Sequence, residues 1–139
     1  MTRFAGDYAL EHALMWLFDP DDVPDDFPDL DPAEILCLSW GSSMAVAARH
    51  EADGRARLEV YVDEDPDLTR APVDFGDTQI ELRSGKLAVS GSPGFEVADV
   101  VELPPGLYDV TVHGNSHEFP ELVVLGFTPA EHWGKRPRA

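Results

Sequence analysis

Prolines at positions 20, 24, 28 and 32 stand four residues apart, with carboxylates at 19, 21, 22, 25, 26, 29 and 31 between them. Proline removes a backbone donor, fixes φ and pushes the preceding residue away from the helical region. A segment punctuated at this interval therefore holds neither a helix nor a paired strand. Residues 19–32 are expected to form an extended acidic loop, with Val23, Phe27 and Leu30 as apolar anchors onto the body. Regular structure has to be found on either side of it.

After the loop the pattern is mostly β. Ile35 to Trp40 is a compact apolar run, and Glu121 to Thr128 is another. Between them, Leu107, Asp109, Thr111 and His113 alternate with Tyr108, Val110 and Val112, the two-residue period of a half-buried strand. Asp53-Gly54 is expected to join Met44–His50 and Ala56–Val62 as a hairpin, and Ser84-Gly85 to join Thr78–Arg83 and Lys86–Ser90. Two segments are ambiguous. Residues 7–18 place Leu10, His12, Leu14, Trp16 and Phe18 on one face of a strand, although Asp7 would also cap a short helix. The Ala-rich stretch Ser42–Glu51 has helical propensity but is flanked as a strand. Short strands, turns every 8 to 12 residues and no crossover helices point to a mainly β fold. The expectation is one antiparallel β-sandwich domain over residues 1–139, with seven or eight short strands, a long acidic Pro-rich loop and a tail from Pro129.

Length and composition agree with a single core, since 139 residues with 43% hydrophobic side chains can bury enough apolar surface to offset chain entropy. The net charge of −17 repels nucleic acid and anionic membranes and attracts basic partners. Cys37, the single cysteine, sits among Ile35, Leu36 and Leu38; it allows no intramolecular disulfide and reads as a packed thiol in a reducing compartment. Glu11 and His12 interrupt the hydrophobic stretch near the start, unlike a secretory signal, and no apolar run approaches the length of a membrane span. A cytoplasmic protein is expected. Arginine outnumbers lysine eight to two, the bias of a GC-rich bacterial genome.

The run Val101-Glu102-Leu103-Pro104-Pro105-Gly106-Leu107-Tyr108-Asp109-Val110-Thr111-Val112-His113-Gly114, preceded by Thr78–Leu87, resembles small uncharacterised actinobacterial β-sandwich proteins. It is also faintly similar to the competence protein J family of nuclease inhibitors. The resemblance covers residues 42–128 and rests on a Pro-Gly turn and a strand start, which set geometry and carry no chemistry. It implies the sandwich fold and a protein-binding role.

Gly41-Ser42-Ser43-Met44-Ala45 has the look of a nucleophile elbow, but without a following helix and a later Asp and His it reads as a turn. Asp63-Glu64-Asp65-Pro66-Asp67, with Asp74 at the twelfth place, opens like a calcium loop yet has Leu68 where glycine is needed. His113, His117 and Glu118 surround a turn and are the candidate metal ligands, with no cofactor otherwise implied.

The acidic loop is the most unusual feature, because residues 1–34 hold ten carboxylates against Arg3 alone. It points to a non-catalytic interaction protein, inhibitor-like or immunity-like, that offers Asp21, Asp22, Asp25, Asp26 and Phe27 to a basic protein. The alternative is a small-molecule or carbohydrate-binding sandwich using Trp40 or Trp133. An enzyme assisted by a metal at His113 and His117 is the third reading.

Overall fold

Tyr108, Val110 and Val112 are buried to within 2% of complete, while Leu107, Asp109, Thr111 and His113 between them stay partly exposed, as the alternation requires. The computed structural model describes residues 4–23, 31–33, 36–91 and 96–134. Among them are ten strands: β1 (Phe4–Tyr8), β2 (Leu14–Phe18), β3 (Cys37–Trp40), β4 (Ser43–Ala47), β5 (Ala56–Val62), β6 (Val73–Leu82), β7 (Lys86–Ser90), β8 (Asp99–Glu102), β9 (Gly106–Gly114) and β10 (Leu122–Pro129). Their number exceeds the seven or eight expected, and the only helical element among the described residues is a 3-10 turn at Glu51–Asp53.

The strands form two five-stranded sheets, ordered β1-β5-β10-β9-β6 and β3-β4-β2-β7-β8. Every pairing is antiparallel except β5 with β10. Both sheets feed one apolar cluster, to which the first contributes Leu58, Val60, Ile80, Val110, Leu125 and Phe127 and the second Met15, Leu17, Met44, Val46, Leu87 and Val89. Each such side chain, fully removed from water, contributes about 2 kcal/mol, so this core carries most of the stability.

Both corners between the sheets are tied. At one, the Tyr8 hydroxyl of β1 donates to Asp99 of β8 at 2.7 Å. At the other, the Ser39 and Thr78 hydroxyls of β3 and β6 hydrogen-bond, and Glu81 N–H donates to Gly41 O at 3.0 Å. The ties cover parts of edges that would otherwise be open to pairing with another chain.

Several local expectations are corrected. Residues 7–18 are not one strand: Ala13 takes a left-handed φ of 57°, and the chain turns between β1 and β2, which belong to different sheets. Leu14, Trp16 and Phe18 do share a face, with Met15 and Leu17 on the core side. Residues 43–47 are strand, and Glu51–Asp53 a single 3-10 turn capped by the His50 side chain. Neither expected hairpin exists. Asp53-Gly54 leads from β4 in one sheet to β5 in the other, and Ser84-Gly85 carries β6 across to β7 in the same manner. The turn signals mark real reversals, but each reversal passes between layers.

The connection from β5 to β6, residues 63–72, runs over the outer side of the first sheet. There Leu68 and Ala71 pack with Tyr61, Leu122 and Val124. On the far face of the second sheet, Leu14, Trp16, Phe18, Ala45, Ala47 and Ala88 form another buried apolar cluster joined by Trp40, whose ring meets Trp16 edge-on at 6.5 Å. After β10 the chain docks again: Gln79 donates to His132 O at 3.1 Å and accepts from Gly134 N–H at 3.0 Å. The tail is thus seated on the first sheet as far as Gly134.

No helix among the described residues is long and apolar enough to cross a membrane.

Candidate interaction surface

Where β2 ends, the backbone must leave the sheet, and Asp19 fixes how it does so. Its carboxylate, fully buried, accepts from Ser84 N–H at 3.0 Å, from the Ser84 hydroxyl at 2.6 Å and from Asp21 N–H at 2.9 Å. Asp19 N–H donates to Ser42 O, Asp22 N–H donates to Asp19 O, and the Ser42 hydroxyl donates to Asp22 O. Burial alone would raise the Asp19 pKa, but the hydrogen bonds from Ser84 and Asp21 outweigh it and hold the carboxyl below its usual range. The charge is therefore kept inside the structure as an anchor.

Asp21 and Asp22 stand exposed on this pinned turn. Of the five expected contact residues they are the two that the structure places; Asp25, Asp26 and Phe27 lie outside the described residues. Val23, one of the expected anchors, is 40% exposed, and the other two, Phe27 and Leu30, lie outside the described residues. Arg83, on the neighbouring β6–β7 turn, is bound first to Glu81 and is also attracted by Asp22 and Asp19, so all three exert a raising effect on its pKa.

The remaining motifs separate in space. His113 lies on the outer side of β9 with Nε2 3.9 Å from an Asp74 carboxylate oxygen, whereas His117 and Glu118 occupy the exposed β9–β10 loop. Among the described residues no three His, Cys, Asp or Glu side chains gather as a metal-ligating group. The calcium-like run does not close either: Asp63 leaves β5 and Asp74 sits on β6, with β10 and β9 between them, a separation of about 14 Å at ordinary strand spacing. Asp67 is occupied locally by the Thr69 hydroxyl and N–H. Ser43 is buried in β4 and no helix follows it, so the elbow reading fails on geometry. Trp40 packs against Trp16, and Trp133 is 47% exposed on the tail.

One charged set was not singled out from sequence. Glu59, with a side chain only 4% exposed, accepts from Arg57 Nε at 2.9 Å and from Arg70 Nη2 at 2.9 and 3.0 Å. Burial again opposes the charge, and the two guanidinium groups overcome it and lower the Glu59 pKa. A signal was present: Arg55, Arg57 and Glu59 fall at every second position, opposite the core-facing Ala56, Leu58 and Val60.

No protein-family model matches the chain, and no curated protein matches it in sequence. Solved structures share its fold. ComJ from Bacillus subtilis, described as the inhibitor of the DNA-degrading activity of NucA, superposes with a TM-score of 0.72 at 10% identity, over 94% of this chain and 98% of that one. The product of crocagin biosynthetic gene J superposes with a TM-score of 0.61 at 14% identity, over 92% and 98% of the two chains. The likeness to competence protein J that residues 78–87 and 101–114 carry in sequence is thus present in the fold, and it reaches well beyond residues 42–128. At these identities what is shared is the architecture.

Proposed function

We propose that the protein is a non-catalytic interaction domain, inhibitor-like or immunity-like, which binds a basic protein partner in the cytoplasm through an acidic surface. The observation that supports this reading is its likeness to ComJ over nearly the whole of both chains, since ComJ itself is described as the inhibitor of a DNA-degrading protein. The net charge of −17 supplies the attraction and speeds encounter with a cationic surface. In this proposal Asp21 and Asp22, held on the Asp19 turn, begin the contact, and Asp25, Asp26 and Phe27 continue it along the chain. A turn already fixed in the unbound protein reduces the ordering cost of binding, and a lone aromatic among charges is the kind of residue that anchors an interface.

The test uses the purified protein as bait in lysate of its own organism at low and high salt, beside a variant carrying Asp21→Lys, Asp22→Lys, Asp25→Lys and Asp26→Lys. The expected result is a basic protein retained at low salt, released by salt, absent from the variant, and reduced in its own activity when the bait is added. Equal retention by the variant overturns the assignment of the contact to this loop.

A further inference from the structure

Four of the six Lys and Arg residues among those described, Arg49, Arg55, Arg57 and Arg70, collect at one end of the first sheet, in a chain whose overall charge is strongly negative. There the start of β5, the β9–β10 loop and the strap of residues 63–72 border an open cleft of about 520 Å³. It is lined by Arg55, Arg57 and Arg70 together with Asn115, Asp7 and Glu121, with Leu122 as its apolar wall.

The pairing of these groups is uneven. Asp7 is engaged by Arg57 at 3.4 Å, Glu121 by Arg49 at 2.5 Å, and the buried Glu59 by Arg57 and Arg70. Three carboxylates are thus held in close ion pairs, Asp67 also lies in the field of Arg70, and Arg55 is the arginine of this set with no ion pair among the described residues. A guanidinium carries five N–H donors in a planar fork. Arg57 offers Glu59 and Asp7 only Nε and Nη1, and Arg70 offers Glu59 only Nη2, so donors on both remain available beside Arg55. Asn115 is held at the rim, donating to Glu121 at 3.3 Å and accepting from Leu122 N–H at 3.2 Å.

Glu59 is what makes this a prepared site. A buried carboxylate shared by two arginines fixes their guanidinium planes before any ligand arrives, which removes part of the side-chain ordering cost that surface arginines otherwise carry on binding. The guanidinium donors left over at the cleft call for an anionic acceptor, and the protein's overall negative field excludes polyanions such as nucleic acid.

We propose that this cleft binds a single carboxylate or phosphate group, held by the guanidinium groups of Arg55, Arg57 and Arg70. The site lies away from the Asp19 turn, at the other end of the strands, and does not depend on the inhibitor-like reading. Either anion presents the paired oxygens that an arginine fork takes bidentately. A cleft of this size admits the small molecule that bears it.

The test is an NMR titration of the arginine Nε–Hε signals of the full chain with inorganic phosphate and, separately, with N-acetylglycine, at constant ionic strength and with chloride as the control. Saturable shifts confined to Arg55, Arg57 and Arg70 are expected with at least one of the two probes, and which probe gives them names the group. Arg55 is exposed and has no ion pair among the described residues, so Arg55→Ala should fold normally while weakening the binding about tenfold. Glu121→Gln, which removes a negative charge from the rim, should tighten it. Shifts that grow linearly, that chloride reproduces, or that Arg55→Ala leaves unchanged overturn the proposal.

Discussion

The buried carboxylate of Asp19 and the backbone and hydroxyl of Ser84, 65 residues apart in sequence, are joined by two hydrogen bonds of 3.0 and 2.6 Å. The end of β2 is thereby bolted to the turn that carries the chain from one sheet to the other.

Replacing Asp19 by Ala should cost about 3 kcal/mol, because it removes a charge-assisted pair of bonds and leaves the Ser84 N–H without its acceptor. Urea denaturation with an unchanged slope and a lower midpoint checks this. Ser84→Ala, which keeps the backbone bond, should cost about half as much.

Asp19 and Glu59 both have pKa values held below their unfolded ones. The sign follows from linkage: each adds stability above the unfolded carboxylate range, near pH 4, and loses it as pH falls through the lower folded value. Stability should therefore decline from about pH 4 downwards. The acid limb of the Asp19→Asn variant should be shallower than that of the parent in midpoint measurements across that range.

Arg57 and Arg70 share one buried acceptor, so their loss should be strongly non-additive. Arg70→Ala alone leaves Arg57 in place, and with Arg70 58% exposed its removal should cost less than about 1 kcal/mol. The double replacement strands the Glu59 charge and should cost about 3 kcal/mol. A double-mutant cycle measures the coupling, and additivity within about 0.3 kcal/mol would show that Glu59 does not hold the pair together.

Gly85 sits at φ +73°, and a Cβ there would lie 2.6 Å from Leu103 O and 3.0 Å from the Pro105 ring. Both backbone strain and collision oppose a side chain, so Gly85→Ala should destabilise by about 2 kcal/mol. Gly41, at φ +58° with open space around it, separates the two effects: Gly41→Ala should cost about 1 kcal/mol from strain alone. Thermal unfolding of the two variants side by side distinguishes them.

What the sequence disclosed was local. The alternation of Tyr108, Val110 and Val112 placed β9 correctly, and the apolar run at 121–128 placed β10, because side-chain period depends only on the strand itself. Asp53-Gly54 and Ser84-Gly85 misled for the opposite reason. A glycine turn dictates that the chain reverses, but whether the returning strand hydrogen-bonds to its predecessor or crosses to the other layer is decided by long-range packing that no short window contains. The same limit hid the arginine cleft: Arg55 and Arg57 are near in sequence, but Arg70 reaches them only over the strap, and Asn115 and Glu121 only through the β9–β10 loop. Carboxylates of one acidic run have unlike fates that composition does not separate: Asp19 is an internal anchor, while Asp21 and Asp22, next to it, face solvent.

The position of β10 has a consequence for how the protein is made. Residues 122–129 occupy the middle of the first sheet, pairing in parallel with β5 on one side and antiparallel with β9 on the other. On a ribosome, β1 and β5 emerge early but have no path to β9 and β6 until that strand has cleared the exit tunnel. The β1–β5 and β6–β9 pairs must therefore wait with unfinished edges until residues 122–129 arrive to join them.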